Sequence, residues 1–187
     1  MDEARASLLD VIRRQSLKTG RFILASGAES NYYVDLRRTT THPAGAYYAT
    51  FLLLDLMKRW KPDAAGGPTL GADPLAGSMA LLSHQLGHPL RTFMVRSKAK
   101  DHGTGRAVEG NLESGDRVVV LDDVVTSGGS LIKVLEPIRE AGAVIVGATA
   151  ILDREQGAAQ ALADAGLPFA PLFRISDLLD PEWIKGV

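Results

Sequence analysis

Two adjacent carboxylates, Asp122 and Asp123, follow the apolar run Val118-Val119-Val120-Leu121. They precede Thr126-Ser127-Gly128-Gly129-Ser130. The apolar run reads as a strand buried on both faces. Leu131, Val134, Leu135 and Ile138 then recur at helical spacing and mark one apolar helix face. Ligands of open α/β sheets bind at the carboxyl ends of strands, and free N–H groups at a helix start attract phosphate. Glycine lets the backbone approach a ligand closely, and Thr126, Ser127 and Ser130 add hydroxyl donors. The acids have the opposite character. A carboxylate repels phosphate, accepts hydrogen bonds from sugar hydroxyls, and stabilises a cationic carbon or holds magnesium-bound water. A phosphorylated sugar with a free diol suits both halves. A plain strand–turn–helix accounts for the serines and glycines but leaves the paired acids unexplained. Their place at a strand end is expected to expose them, their charge serving a ligand rather than a core. The segment has neither the Gly-Lys-Ser/Thr of a Walker loop nor the Rossmann glycine spacing.

A second concentration of chemistry spans residues 91–106. Arg91, Arg96, Lys98, Lys100 and Arg106 face a single acid, Asp101, in a chain whose formal net charge is −1. His102 adds a titratable group, and Gly103, Gly105 and Gly110 make the segment mobile. As a solvated surface loop it needs no function. As a closing lid it brings cations to an anionic leaving group. Arg154 follows the apolar run 144–152, so it is expected at another strand's carboxyl end, beside the Asp122 strand. Its planar fork suits a carboxylate there. The bland alternative is a surface arginine paired with Asp153 or Glu155.

The elements that must position these residues alternate. Leu8, Leu9, Val11 and Ile12 predict an amphipathic helix over 4–17, stopped by Lys18-Thr19-Gly20. Short strands over 22–24 and 32–36 flank a Ser26-Gly27 turn. Thr41 and Pro43 start a helix that runs to about Trp60, ahead of Lys61-Pro62. Beyond it, strands over 64–67, 90–95, 117–121 and 144–152 alternate with helices over 74–86 and 131–140, the last containing Pro137. Residues 97–110 are polar and lack periodicity. This alternation predicts an α/β domain with a largely parallel sheet.

A length of 187 residues suits one domain with a substantial core. The lack of cysteine excludes disulfides, thiol nucleophiles and zinc–thiolate sites, and fits a reducing compartment. Near-neutral charge offers no bulk attraction to nucleic acid. The Met-Asp-Glu start does not read as a signal peptide, and the apolar runs fall far short of the roughly 20 residues that span a bilayer. The expectation is a cytoplasmic protein that engages neither membrane nor nucleic acid.

On these residues the chain resembles the type I phosphoribosyltransferases. Val119-Val120-Leu121-Asp122-Asp123-Val124-Val125-Thr126-Ser127-Gly128-Gly129-Ser130 is similar to their motif for phosphoribosyl pyrophosphate (PRPP). The resemblance implies that Asp122 and Asp123 face the ribose hydroxyls. It implies that the loop after Val124 and Val125, from Thr126 through Ser127, Gly128 and Gly129 to Ser130, holds the 5-phosphate. Lys100-Asp101-His102-Gly103-Thr104-Gly105 resembles the catalytic loop of the orotate phosphoribosyltransferases. That likeness implies catalytic roles for Lys100, His102, Asp122 and Asp123, and contacts to PRPP from Arg96, Ser97, Lys98, Lys100 and His102. It also implies a homodimer in which the loop acts in trans on the neighbouring site. Residues 22–35 are similar to the N-terminal motif of the same family, and residues 66–74 to its pyrophosphate-side loop. Thr126 and Arg154 are the implied contacts to orotate.

The implied fold is a single phosphoribosyltransferase domain over 1–187, with a mainly parallel central sheet flanked by helices. Residues 41–155 form the PRPP-binding core. About 40 N-terminal residues and the C-terminal segment form a small hood, and a mobile catalytic loop completes the site. The implied reaction moves the 5-phosphoribosyl group from PRPP to orotate, giving orotidine 5′-monophosphate and pyrophosphate in pyrimidine (UMP) biosynthesis. Magnesium is the implied cofactor, held mainly by PRPP and water with no direct set of protein ligands. Many members carry lysine where this chain has Ala25, Gly71 and Ser97. Two other readings use the same residues. One is transfer to a different base, and the other is a non-catalytic PRPP-binding regulator of RNA or transcription. The regulator is disfavoured because nothing in the chain forms a separate nucleic-acid-binding module.

Overall fold

The computed structural model describes residues 1–23, 27, 29–96 and 107–184. Leu8 and Ile12, one turn apart, bury one face of α1 (Asp2–Gln15). The helix stops at a Ser16 cap. Lys18, Thr19 and Gly20 are therefore not its stop signal; they lie in β1 (Leu17–Ile23). β1 pairs antiparallel with β2 (Glu29–Val34) as a separate two-stranded sheet. A short α2 (Arg37–Thr40) leads to α3 (Pro43–Met57), which has proline in its first turn. The helix expected to reach Trp60 tightens into a 3-10 turn over its last residues, Lys58–Trp60.

The main sheet has the strand order β5-β4-β3-β6-β7-β8. β3 (Ala64–Pro68), β4 (Arg91–Val95), β6 (Arg117–Val125), β7 (Val144–Asp153) and β8 (Phe169–Arg174) run parallel. β5 (Val108–Gly110) adds an antiparallel edge to β4. The crossovers are α4 (Asp73–Gln85), α5 (Gly129–Glu140) and α6 (Ala158–Asp164). A last turn, α7 (Pro181–Ile184), lies against β2. The α/β class and parallel sheet match the sequence expectation. β5, α6 and β8 were not anticipated. β5 has three residues inside a polar tract, and α6 has too few turns to show a period.

β6 shows how one sequence run feeds two layers. Val118 and Val120 join the cluster built with α5 and α6, while Val119 and Leu121 join the cluster with α1, α3 and α4. The chain leaves β3 for β4 on one side and meets β6 on the other. That switch of direction opens a crevice at the carboxyl ends of β3 and β6. Among the described residues, no helix is long and apolar enough to cross a membrane.

Candidate active site

β6 does not end at Leu121. It continues through Asp122 and Asp123 to Val125, so both acids are strand residues. Nor are they exposed as the sequence reading expected. Asp122 retains 6% of its accessible surface and Asp123 9%. The physical reason is the loop after β3, which folds over the strand end. A Cβ added at Gly71 would stand 2.0 Å from Asp122 Oδ1 and 2.6 Å from Asp123 Oδ1. Position 71 thus lies against the acid pair, and a side chain there would force the carboxylates or the loop to shift. A lysine there would require the two carboxylates or the loop to move.

Hydrogen bonds hold the acids in place. Asp122 Oδ1 accepts the Asp123 N–H at 2.9 Å, and Asp123 Oδ1 accepts the Val124 N–H at 2.8 Å. Ser130, in the first turn of α5, donates its hydroxyl to Asp122 Oδ2 at 2.9 Å. Burial, with Asp123 alongside, pushes the Asp122 carboxyl up to about 7. Burial also raises Asp123, against the N–H of Val124 and the positive charge of Arg37, which favour its ionised form. Arg37 is gripped by Asp35 through Nε–H at 2.8 Å and Nη2–H at 3.1 Å. The start of α2 therefore brings a cation towards the acids.

The phosphate-loop candidates follow immediately. Val124 and Val125 finish β6, Thr126 is half-buried and Ser127 exposed. Gly128 caps α5 with φ +82°, a left-handed conformation that suits glycine. α5 begins at Gly129, two residues earlier than its apolar pattern indicated, so Gly129 and Ser130 stand in its first turn. The helix keeps Pro137 near its end and still buries Leu131, Val134, Leu135 and Ile138. Its free N–H groups open towards the crevice end of β6, which is the local geometry an anion needs.

Arg154 lies one residue past β7, which pairs with β6 in parallel as expected. Its N–H donates to Val125 O at 2.9 Å, tying it to the carboxyl end of β6. It does not pair with its acidic neighbours. Asp153 Oδ1 accepts the Glu155 N–H, and Glu155 Oε2 accepts the Ser176 N–H. Its guanidinium meets Tyr32 instead, a partner the sequence reading did not identify. Tyr32 sits within the quoted N-terminal motif, but nothing in its spacing points to a residue so far along the chain.

Arg96, one residue past β4, is exposed and 3.8 Å from Glu109 on β5. Asp73 opens α4, directly after the loop that covers the acids. Burial raises its carboxyl, and its Oδ1 has no hydrogen-bond partner among the described residues. Ser97, Lys98, Lys100 and His102 lie outside the described residues, as does Ala25. The structure thus brings together Asp122, Asp123, residues 124–130 and Arg154.

Comparison with known proteins gives a consistent outcome. The profile of the phosphoribosyl transferase domain matches residues 40–166. The orotate phosphoribosyltransferase of Aquifex aeolicus (strain VF5) is 42% identical over 178 residues, spanning 94% of this chain and 97% of its own. A crystal structure of Mycobacterium tuberculosis H37Rv orotate phosphoribosyltransferase in complex with Fe(III) dicitrate is similar with a TM-score of 0.84 at 38% identity. It covers 94% of this chain and 98% of its own. Another structure of that enzyme, in complex with PRPP, has a TM-score of 0.77 at 32% identity, covering 95% of this chain and 92% of its own.

Proposed function

The chain belongs to the orotate phosphoribosyltransferase family, and from that premise we propose that it transfers the 5-phosphoribosyl group of PRPP to orotate, releasing pyrophosphate and forming orotidine 5′-monophosphate. The observation that carries the reading is the union of an acid pair and an open helix start on one strand end, with Arg154 tied beside them.

The first turn of α5 and the hydroxyls of Thr126, Ser127 and Ser130 receive the 5-phosphate. Asp122 and Asp123 accept hydrogen bonds from the ribose hydroxyls. Their negative charge also favours the positive charge that builds on the ribose as pyrophosphate leaves C1 and the base nitrogen attacks. Thr126 and Arg154 meet the base, the latter through its carboxylate. No protein nucleophile is needed, and the chain's work is positioning and exclusion of water. Arg96, Ser97, Lys98, Lys100 and His102 are assigned to PRPP, with Lys100 and His102 as catalytic groups, on the resemblance of their segment alone.

Magnesium fits as a companion of the substrate. Among the described residues no three His, Asp or Glu side chains gather into a metal site, so the donor set is the acid pair. Asp122 and Asp123 would hold magnesium-bound water, and the ion, bound with PRPP, would neutralise pyrophosphate. The same proposal includes a homodimer with the loop Lys100 to Gly105 acting in trans. It also includes a hood formed by residues 1–40 with the C-terminal segment, supported by α7 lying against β2. A cytoplasmic setting fits the cysteine-free composition.

The test is direct. With PRPP and magnesium, the protein should consume orotate, read by loss of its ultraviolet absorbance. Consumption of a purine or of uracil in preference to orotate would overturn the base assignment, and PRPP binding without turnover would favour a regulator.

A further inference from the structure

We infer that Tyr32 is a positioning residue that fixes which edge of the Arg154 guanidinium faces the base. The inference rests on the proposal that Arg154 meets the orotate carboxylate, and it adds how that contact is oriented.

The geometry begins with a buried phenol. Tyr32 stands on β2 with 1% of its surface exposed, inside the cluster formed with α1 and α3. Its backbone is fixed locally, since Ser30 Oγ donates to Tyr32 O at 2.8 Å. Few rotamers remain open to such a ring. Arg154 is 122 residues away along the chain, yet its Nε–H donates to the Tyr32 hydroxyl at 3.2 Å. The guanidinium carbon lies 5.0 Å from the centre of the same ring, within cation–π range. One buried side chain thus holds the arginine both through its hydroxyl and through its face.

The consequence follows from the donor inventory of arginine. A guanidinium offers a carboxylate two forks: a lateral one using Nε and one terminal nitrogen, and an end-on one using Nη1 and Nη2. The Tyr32 hydroxyl occupies Nε–H and so removes the lateral fork. Among the described residues no carboxylate forms an ion pair with Arg154, so both terminal nitrogens remain for a ligand. Tyr32 therefore presets an end-on fork and a fixed plane, and it reaches the base only through Arg154. A carboxylate-bearing pyrimidine gains from that plane; a base without the carboxylate does not.

Tyr32→Phe isolates the effect. It keeps the ring and the cation–π contact while freeing Nε–H to compete for the carboxylate. The KM for orotate should rise about three- to tenfold, the scale of one hydrogen bond. The KM for PRPP, the saturated rate and the melting temperature should stay near those of the parent. Both constants are then measured for Tyr32→Phe, Arg154→Ala and the double variant. If Tyr32 acts through Arg154, Tyr32→Phe adds nothing in the Arg154→Ala background. If Arg154→Ala leaves the orotate KM unchanged, the base-site reading itself falls, and this inference with it. If Arg154→Ala raises that KM while Tyr32→Phe does not, or if the two effects simply multiply, the base site stands and the positioning role is overturned. A fall in melting temperature with equal losses for both substrates would assign Tyr32 to the core alone.

Discussion

The two ends of the proposed site are built in different ways. At the phosphate end, Asp122 through Ser130 are contiguous: one strand terminus, a turn capped by Gly128 and a helix start supply acids, hydroxyls and free N–H groups. At the base end, Arg154 and its partner Tyr32 are 122 residues apart, Tyr32 on the β1–β2 hairpin and Arg154 just past β7 of the main sheet. The contrast teaches where each kind of recognition comes from. A phosphate is satisfied by backbone donors that any helix start presents, so a short segment suffices. Aligning a planar carboxylate needs a guanidinium whose own orientation is fixed, and only packing between distant segments achieves that. The loop carrying Gly71 belongs to neither end by sequence, yet it covers the acids of the first.

The largest expected effect tests whether the two ends are separable. The double variant Asp122→Asn/Asp123→Asn should lower kcat/KM for PRPP by about a hundredfold or more, the loss of two charge-assisted hydrogen bonds. The orotate KM should move far less. Steady-state kinetics with each substrate varied in turn decides this, and equal losses for both substrates would erase the distinction.

The converse comes next. Arg154→Ala should raise the orotate KM roughly ten- to a hundredfold with little change for PRPP. Arg154→Lys should recover only part, because an ammonium cannot reproduce the planar fork. Full recovery by lysine would show that charge alone, not the orientation set at the base end, selects the substrate.

A third variant sharpens the role of the covering loop. Gly71→Ala forces a methyl against Asp122 Oδ1. It should raise the PRPP KM about tenfold and destabilise the fold by ~1–3 kcal/mol, as overpacking does. Gly77→Ala on α4 is the control, because an added Cβ there meets nothing within 4 Å. In a helix interior it should stabilise by ~0.4–1 kcal/mol. Denaturant melts compare the two, and a harmless Gly71→Ala would show that the loop moves aside readily.

A separate effect is on stability as a function of pH, where only the acid end should respond. The folded chain raises the Asp122 carboxyl from 3.8 to about 7, so the native state holds this proton more tightly than the unfolded state does. Its contribution to stability is full below pH 4 and is lost as pH rises through about 7. Asp122→Asn removes that loss. At pH 8 the variant should be more stable than the parent by roughly 2–4 kcal/mol, and at pH 4 the two should nearly coincide. The difference between their urea midpoints across this range gives the answer. A variant that is less stable at every pH would mean that the acid is structural. The same proton sets a further expectation: PRPP should bind more tightly as pH rises through 7 and the carboxylate ionises.

Much of the fold was legible because its signals are short-range. The apolar run before Asp122, the 3.6-residue pattern of α5 and the proline in the first turn of α3 each sit within a few residues of what they specify. The same holds for the order of acids, hydroxyls and glycines, because strand, turn and helix start are consecutive. What the linear pattern misjudged was the environment. Asp122 and Asp123 read as exposed because hydrophilic residues at a strand end usually meet water, and no local feature announces that the backbone at Gly71 will close over them. Lys18-Thr19-Gly20 read as a helix stop because the pairing of β1 with β2 that makes them a strand is a tertiary contact.

The sequence by itself determined that a strand, a pair of acids and a helix start would stand in this order, because covalent continuity and backbone hydrogen bonding decide it. Only the tertiary structure decided that the acids would be buried and that Asp122 would hold its proton up to near neutrality. It alone decided that Arg154 would turn from its acidic neighbours to a buried phenol, because burial and side-chain orientation depend on which distant surfaces meet when the hairpin, the loop and the sheet pack together.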